Sequence, residues 1–150
     1  MDNKIIDNQS IVQIAIVVKD IEKSSKDYAD FFGVEKPEWF VTEGYDKTEA
    51  EFMGEPTETR IKIANFNAGA ISLELIEPDN NPSTWKYFLD TQGEGIHHIA
   101  FIVKNMKKKI ELMGNTNMPL LQKGEFEGGR YAYFDTFEKL KVIIEMLEVD

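Results

Sequence analysis

Apolar positions along this chain follow two periods. From Ile11 to Val18, and again from Ile96 to Val103, β-branched and aromatic residues crowd together as they do in strands. Each run is followed by a residue suited to cap a helix, Asp20 in one case and Asn105 in the other. The spacing then lengthens. Ile21, Tyr28, Phe31 and Phe32 form one helical face closed by Gly33, and Met106, Ile110 and Met113 form a second before Gly114. Further on, Arg60 to Phe66 with Ile71 to Glu77, and Arg130 to Asp135 with Val142 to Glu148, read as strands joined by turns.

These elements are one pattern written twice. The segment Gln13 to Lys23 (QIAIVVKDIEK) aligns with His98 to Lys108 (HIAFIVKNMKK), with five of eleven positions identical and both ends 85 residues apart. In the second halves, Glu74 and Glu77 precede Glu145 and Glu148 by 71 residues. The second copy is therefore shorter by the difference, 14 residues, and the surplus falls in Lys36 to Thr57. That polar stretch, with its prolines and glycines, reads as a loop or an edge strand. Each unit thus runs strand, helix, then two or three strands, over residues 11–77 and 95–148. The joint between them, Pro78 to Glu94, carries a short helix capped by Ser83, with Trp85, Phe88 and Leu89 apolar and Gly93 at its end. A unit of roughly 70 residues buries a sheet face poorly by itself, so the two are expected to pair in one domain spanning residues 1–150.

Strand alternation sorts the side chains by face. Gln13, Ala15 and Val17 share one face, while Val12, Ile14 and Ile16 share the other, which the helix is expected to cover. In the second copy His98, Ala100 and Ile102 take the first face and His97 goes with Ile99 and Phe101. Only one of the adjacent histidines is therefore expected at a site, His98, with His97 structural. Glu74 lies with Ser72 and Ile76, and Glu145 with Ile143 and Leu147, each a lone carboxylate in an apolar strand. A buried carboxylate needs a charged partner, hydrogen bonds or a metal, or it turns neutral. Singly, each of the four has an ordinary structural reading. Together they form two repeat-equivalent pairs, Gln13 with His98 and Glu74 with Glu145, which a pseudo-twofold axis gathers in one place. One imidazole, one amide oxygen and two carboxylates suit a borderline or hard divalent ion; zinc, nickel, cobalt and manganese all fit.

Composition narrows the chemistry. A formal net charge of −10 repels polyanions, so neither nucleic acid nor an anionic membrane surface is an expected partner. The basic run Lys107-Lys108-Lys109 falls on a helix and reads as a solvated face. With no cysteine, thiolate ligands and a cysteine nucleophile are excluded. No long apolar span and no basic, apolar leader occur, which leads to the expectation of a soluble, cytoplasmic protein.

The motifs VQIAIVV, IHHIAFIV, LELIEP and IIEML resemble the vicinal oxygen chelate (glyoxalase/bleomycin-resistance) superfamily over residues 11–148. The resemblance implies an α+β fold in which two βαβββ modules form a curved mixed sheet around a metal cavity. It places one divalent metal ion on Gln13, Glu74, His98 and Glu145. The phrase LELIEP, followed by a short helix and GEGIHHIAF, is most similar to methylmalonyl-CoA epimerases. The ligand order Gln, Glu, His, Glu is similar to that of zinc-type glyoxalase I (lactoylglutathione lyase).

Both resemblances imply proton removal beside a carbonyl, with Glu145 as base and Glu74 able to act on the opposite face. The substrate is then a thioester or hemithioacetal carried by coenzyme A or glutathione, and the protein a homodimer. A metal-free small-molecule binding or resistance protein is the non-enzyme alternative. Arg60 and Lys62 offer a substrate-anion contact or a solvated strand face, and Glu49, Glu51 and Glu58 have no fixed register.

Overall fold

The computed structural model describes residues 4–150. In chain order the elements are β1 (Gln13–Val17), α1 (Ile21–Phe32), β2 (Phe40–Val41), the single turn α2 (Tyr45–Thr48), β3 (Glu51–Phe52), β4 (Glu55–Pro56), β5 (Ile61–Ala68) and β6 (Ile71–Pro78). Then follow α3 (Thr84–Gln92), β7 (Gly95–Ile102), α4 (Met106–Gly114), β8 (Leu120–Phe126), β9 (Gly129–Phe134), the single turn α5 (Phe137–Leu140) and β10 (Ile143–Val149). The helices start where the capping chemistry lies. Asp20, Ser83 and Asn105 each accept a hydrogen bond from the backbone N–H three residues on, satisfying a donor that the first turn leaves free.

All ten strands join one mixed sheet in the order β2-β5-β6-β1-β7-β10-β9-β8-β3-β4. The two modules meet at the antiparallel pair β1 and β7, and each of these strands runs parallel to the last strand of its own module, β6 or β10. This is the internal symmetry read from the repeat. Ile16, Leu73 and Leu75 face α1 in one cluster with Val18, Ile21 and Phe66; Met146, Ala132 and Phe134 face α4 in another with Met106 and Met113. The opposite, concave face carries Ala15, Val17, Ile61, Ile76, Tyr133 and Ile143, and α3 packs Trp85 and Phe88 against it. One face of the sheet is thus sealed by helices, and the other is left to enclose a cavity.

Two expectations need correction. Phe31 is 83% exposed and Phe32 is exposed as well; Ile21, Ser25 and Ala29 are the buried positions of α1. Ser25 is tolerated there because its hydroxyl donates to the Ile21 carbonyl at 2.6 Å. Lys109 is not part of a solvated face: it is buried, and its ammonium donates to Asp7 Oδ1 at 2.9 Å and to the Lys4 carbonyl at 2.8 Å. The surplus stretch, expected as a loop or an edge strand, supplies edge strands at both ends of the sheet and so crosses from one module to the other. It pairs with β5 through β2, passes α2, and places the β3-β4 hairpin on β8, with Glu51 opposite Lys123 and Phe52 opposite Gln122, before the chain enters β5. The first module therefore caps the second module's open edge, which would otherwise present unpaired backbone groups.

Candidate functional site

Strand register brings the four candidate residues together. In one row across the sheet, Glu74, Ala15 and His98 are neighbours; in the next, Gln13, Ala100 and Glu145. Each row has a fully buried alanine at its centre. Strands lie roughly 4.8 Å apart, so the outer members of a row are about 10 Å apart at the backbone, and the short alanine leaves room for their long side chains to converge above it. Gln13 Nε2 donates to Glu74 Oε2 at 3.2 Å. His98 Nε2 lies 3.1 Å from Gln13 Oε1, 3.2 Å from Glu145 Oε1 and 3.9 Å from Glu74 Oε1.

The electrostatics of this cluster are costly as they stand. Glu145 Oε1 is buried and has no hydrogen-bond donor in line with it, the one such atom among the described residues. Burial raises the Glu145 carboxyl to about 8, against a lowering by the Tyr133 hydroxyl. Glu74 is also raised to about 8, first by burial, then by the neighbouring charge of Glu145, against a lowering by Gln13. Burial depresses His98 to about 3 and His97 well below its usual value, so both imidazoles are neutral at neutral pH.

Three oxygens and an imidazole nitrogen facing one another, with one oxygen orphaned, are the donors a divalent cation takes. Among the described residues no three His, Cys, Asp or Glu side chains form a ready-made metal cluster. The set includes an amide oxygen, which such a cluster of ionisable side chains leaves out.

Gln13, Glu74 and Glu145 open into a cavity of about 880 Å³. Its wall combines Ile61 and Ile63 of β5 with Tyr131 and Tyr133 of β9, the equivalent strand of the second module, and Trp85 from α3. Trp85 Nε1 donates to the Tyr133 hydroxyl at 3.2 Å, so that this hydroxyl is held at the cavity wall. Glu43, Lys47 and Thr48, from the crossing segment, line the same space. Sequence reading missed these tyrosines, although an aromatic pair two residues apart on the strand preceding Glu145 was a signal. Nothing in the sequence placed Glu43 or Lys47 there. Lys62 pairs with Glu77 at 3.3 Å, and Arg60 Nε donates to the Thr42 carbonyl at 2.8 Å; neither lines the cavity. Glu49, Glu51 and Glu58 do not line it either.

The separation of the two histidines by strand alternation is overturned. Ala15 pairs with His98 and Ile16 with Ile96, so His97 is the extra residue of a β-bulge. A bulge breaks the period of two and re-aims its side chain. His97 is fully buried on the concave side, its ring edge-on to Phe88 and Tyr133. Its Nδ1 lies 2.8 Å from His98 Nδ1, and its Nε2 lies 3.1 Å from Thr84 Oγ1.

The model of a family described as the glyoxalase/bleomycin resistance protein/dioxygenase superfamily matches residues 12–134. The uncharacterized protein YqjC of Bacillus subtilis (strain 168) is 30% identical over 94 residues, covering 61% of this chain and 67% of that one. The hypothetical protein BH1468 of Bacillus halodurans C-125 superposes with a TM-score of 0.62 at 21% identity, covering 94% of each chain. A methylmalonyl-CoA epimerase of Streptomyces coelicolor, in complex with 2-nitronate-propionyl-CoA, superposes with a TM-score of 0.61 at 20% identity, covering 93% of this chain and 96% of that one.

Proposed function

The chain belongs to the glyoxalase/bleomycin resistance protein/dioxygenase superfamily, and from that premise we propose that it is a divalent-metal-dependent enzyme that forms an enolate from a small carbonyl compound. The observation that carries this reading is the orphaned Glu145 Oε1 beside His98 Nε2 and Gln13 Oε1 on the floor of a large cavity. Gln13, Glu74, His98 and Glu145 would hold the ion, which is zinc, nickel, cobalt or manganese by donor type. What such an ion supplies when bound is charge stabilisation of a developing enolate oxygen.

The remaining work falls to the chain. Glu145, oriented by Tyr133, takes the proton from the carbon beside the carbonyl, and Glu74, in the other row of the floor, returns one on the opposite face. Trp85, Tyr131 and Tyr133 keep the reacting carbon out of bulk water. Two carboxylates related by a pseudo-twofold axis suit a reaction that inverts a centre, so an epimerase of 2-methyl-branched acyl-CoA thioesters is the preferred form. A glyoxalase-type lyase is the second reading, favoured by an amide rather than an imidazole at Gln13.

The deciding experiment follows deuterium wash-in with metal-loaded protein, using methylmalonyl-CoA and, separately, the hemithioacetal of glutathione and methylglyoxal. Exchange beside the thioester carbonyl supports the epimerase, and turnover of the hemithioacetal alone supports the lyase. Exchange with neither overturns enolate formation and favours a binding protein. We further propose a homodimer, because edge strand β2 exposes Phe40 and Val41 to solvent. Light scattering at micromolar concentration should give twice the chain mass, and a monomer contradicts the proposal.

A further inference from the structure

We propose that His97 is a positioning residue that fixes the tautomer of His98, accepting a hydrogen bond from the His98 Nδ1–H so that the Nε2 lone pair faces Gln13, Glu74 and Glu145 bare. The proposal rests on the metal reading above. The two Nδ1 atoms are 2.8 Å apart, and one proton lies between them. If His97 owned that proton, His98 would carry its own on Nε2 and give it to Gln13 Oε1, and Glu145 Oε1 would stay orphaned. If His98 owns it, His97 donates through Nε2 to Thr84 Oγ1 at 3.1 Å, and a cation on the bare Nε2 satisfies Gln13 Oε1 and Glu145 Oε1 together. Only the second arrangement leaves no buried polar atom of this group without a partner. Each imidazole keeps one proton in either arrangement, so the charge does not change.

The chain of contacts beyond His97 is built to hold it. Thr84, 2% exposed, donates its backbone N–H to Gln122 Oε1 at 2.7 Å, and Gln122 Nε2 donates to the Tyr131 hydroxyl at 3.0 Å. The β-bulge turns the His97 ring toward His98, and Phe88 and Tyr133 pack edge-on against it with centroids at 5.3 and 5.4 Å. Which nitrogen of a ligating histidine is free is set by the hydrogen bond that the other makes.

The test measures zinc affinity by competition with a chromophoric chelator, and the through-hydrogen-bond coupling between the two Nδ1 nitrogens by NMR. His97→Phe keeps the ring stacking but removes the acceptor, and should weaken zinc binding roughly 10–100-fold. His97→Gln, whose amide can both accept and donate, should return most of that loss. Thr84→Val, which leaves both imidazoles in place, should weaken binding in the same direction by a smaller factor and decides the matter if His97→Phe does not fold. In the zinc-loaded wild type the shared proton should belong to His98. Zinc affinity unchanged in folded His97→Phe and in Thr84→Val, or a proton owned by His97, overturns the proposal alone. Wild-type protein that binds no zinc, nickel, cobalt or manganese overturns the metal reading and this proposal with it.

Discussion

In the proposed function, Glu145 is the residue on which most of the chemistry turns. Its carboxyl is buried, lies near enough to the Tyr133 hydroxyl to be lowered by it, and has one oxygen, Oε1, with no donor. Replacement by glutamine leaves an amide oxygen in the same place, able to coordinate but unable to take a proton. Glu145→Gln should therefore retain a divalent ion by elemental analysis yet lose ~10²–10⁴ in deuterium exchange, the usual contribution of a general base. Exchange at the wild-type rate in the ion-loaded variant would make Glu145 a ligand only. That Glu145 and Glu74 stood out in the sequence follows from simple physics: a charge in the middle of an apolar strand is expensive, and the repeat made the same expense twice. His97 was misplaced because a bulge depends on the register of the partner strand, which one strand's own sequence does not contain.

At the scale of elements, the site is a property of strand order. Because β1 and β7 lie side by side at the module junction, Ala15 and Ala100 sit between the members of each row of candidate residues. Ala100→Leu would fill the space over which Gln13 and Glu145 converge. Overpacking of this kind typically destabilises by about 1–3 kcal/mol. The expected outcome is a lowered melting temperature with a folded spectrum, and loss of divalent-ion binding by calorimetry. Full binding in the variant would show that the side chains do not meet above the alanine. Strands, caps and the linking helix were legible because period, cap and turn are local signals. The landing of β3 and β4 on β8 was not, since a two-residue strand has no period and its partner lies about 70 positions away. Its consequence, that Glu43 and Lys47 reach the cavity, was hidden with it.

For the whole molecule, the buried cluster links stability to pH in a way that reverses when an ion binds. In the metal-free protein Glu74 and Glu145 are held at about 8, above their ordinary value of 4.5. The folded chain keeps protons that the unfolded chain has released, so this contribution to stability is full below 4.5 and is lost as pH rises through 8. His98, depressed to about 3 from 6.5, acts in the opposite sense: its contribution is full above 6.5 and is lost as pH falls through 3, and His97, held well below its usual value by burial, acts in the same direction. Between 4.5 and 6.5 two carboxyls and two imidazoles offset one another. From 6.5 to 8.5 only the carboxyls change, so the melting temperature of metal-free protein should decline across that window. A bound cation needs both carboxylates ionised, so its affinity rises over the same range and its stabilisation grows with it. Saturating zinc should therefore flatten or invert the decline, and a Glu74→Gln, Glu145→Gln double variant should lose the decline without any metal. A metal-free wild type whose melting temperature is level between pH 6.5 and 8.5 would mean that the two carboxyls are already ionised in the fold, and that something other than a cation balances their charge.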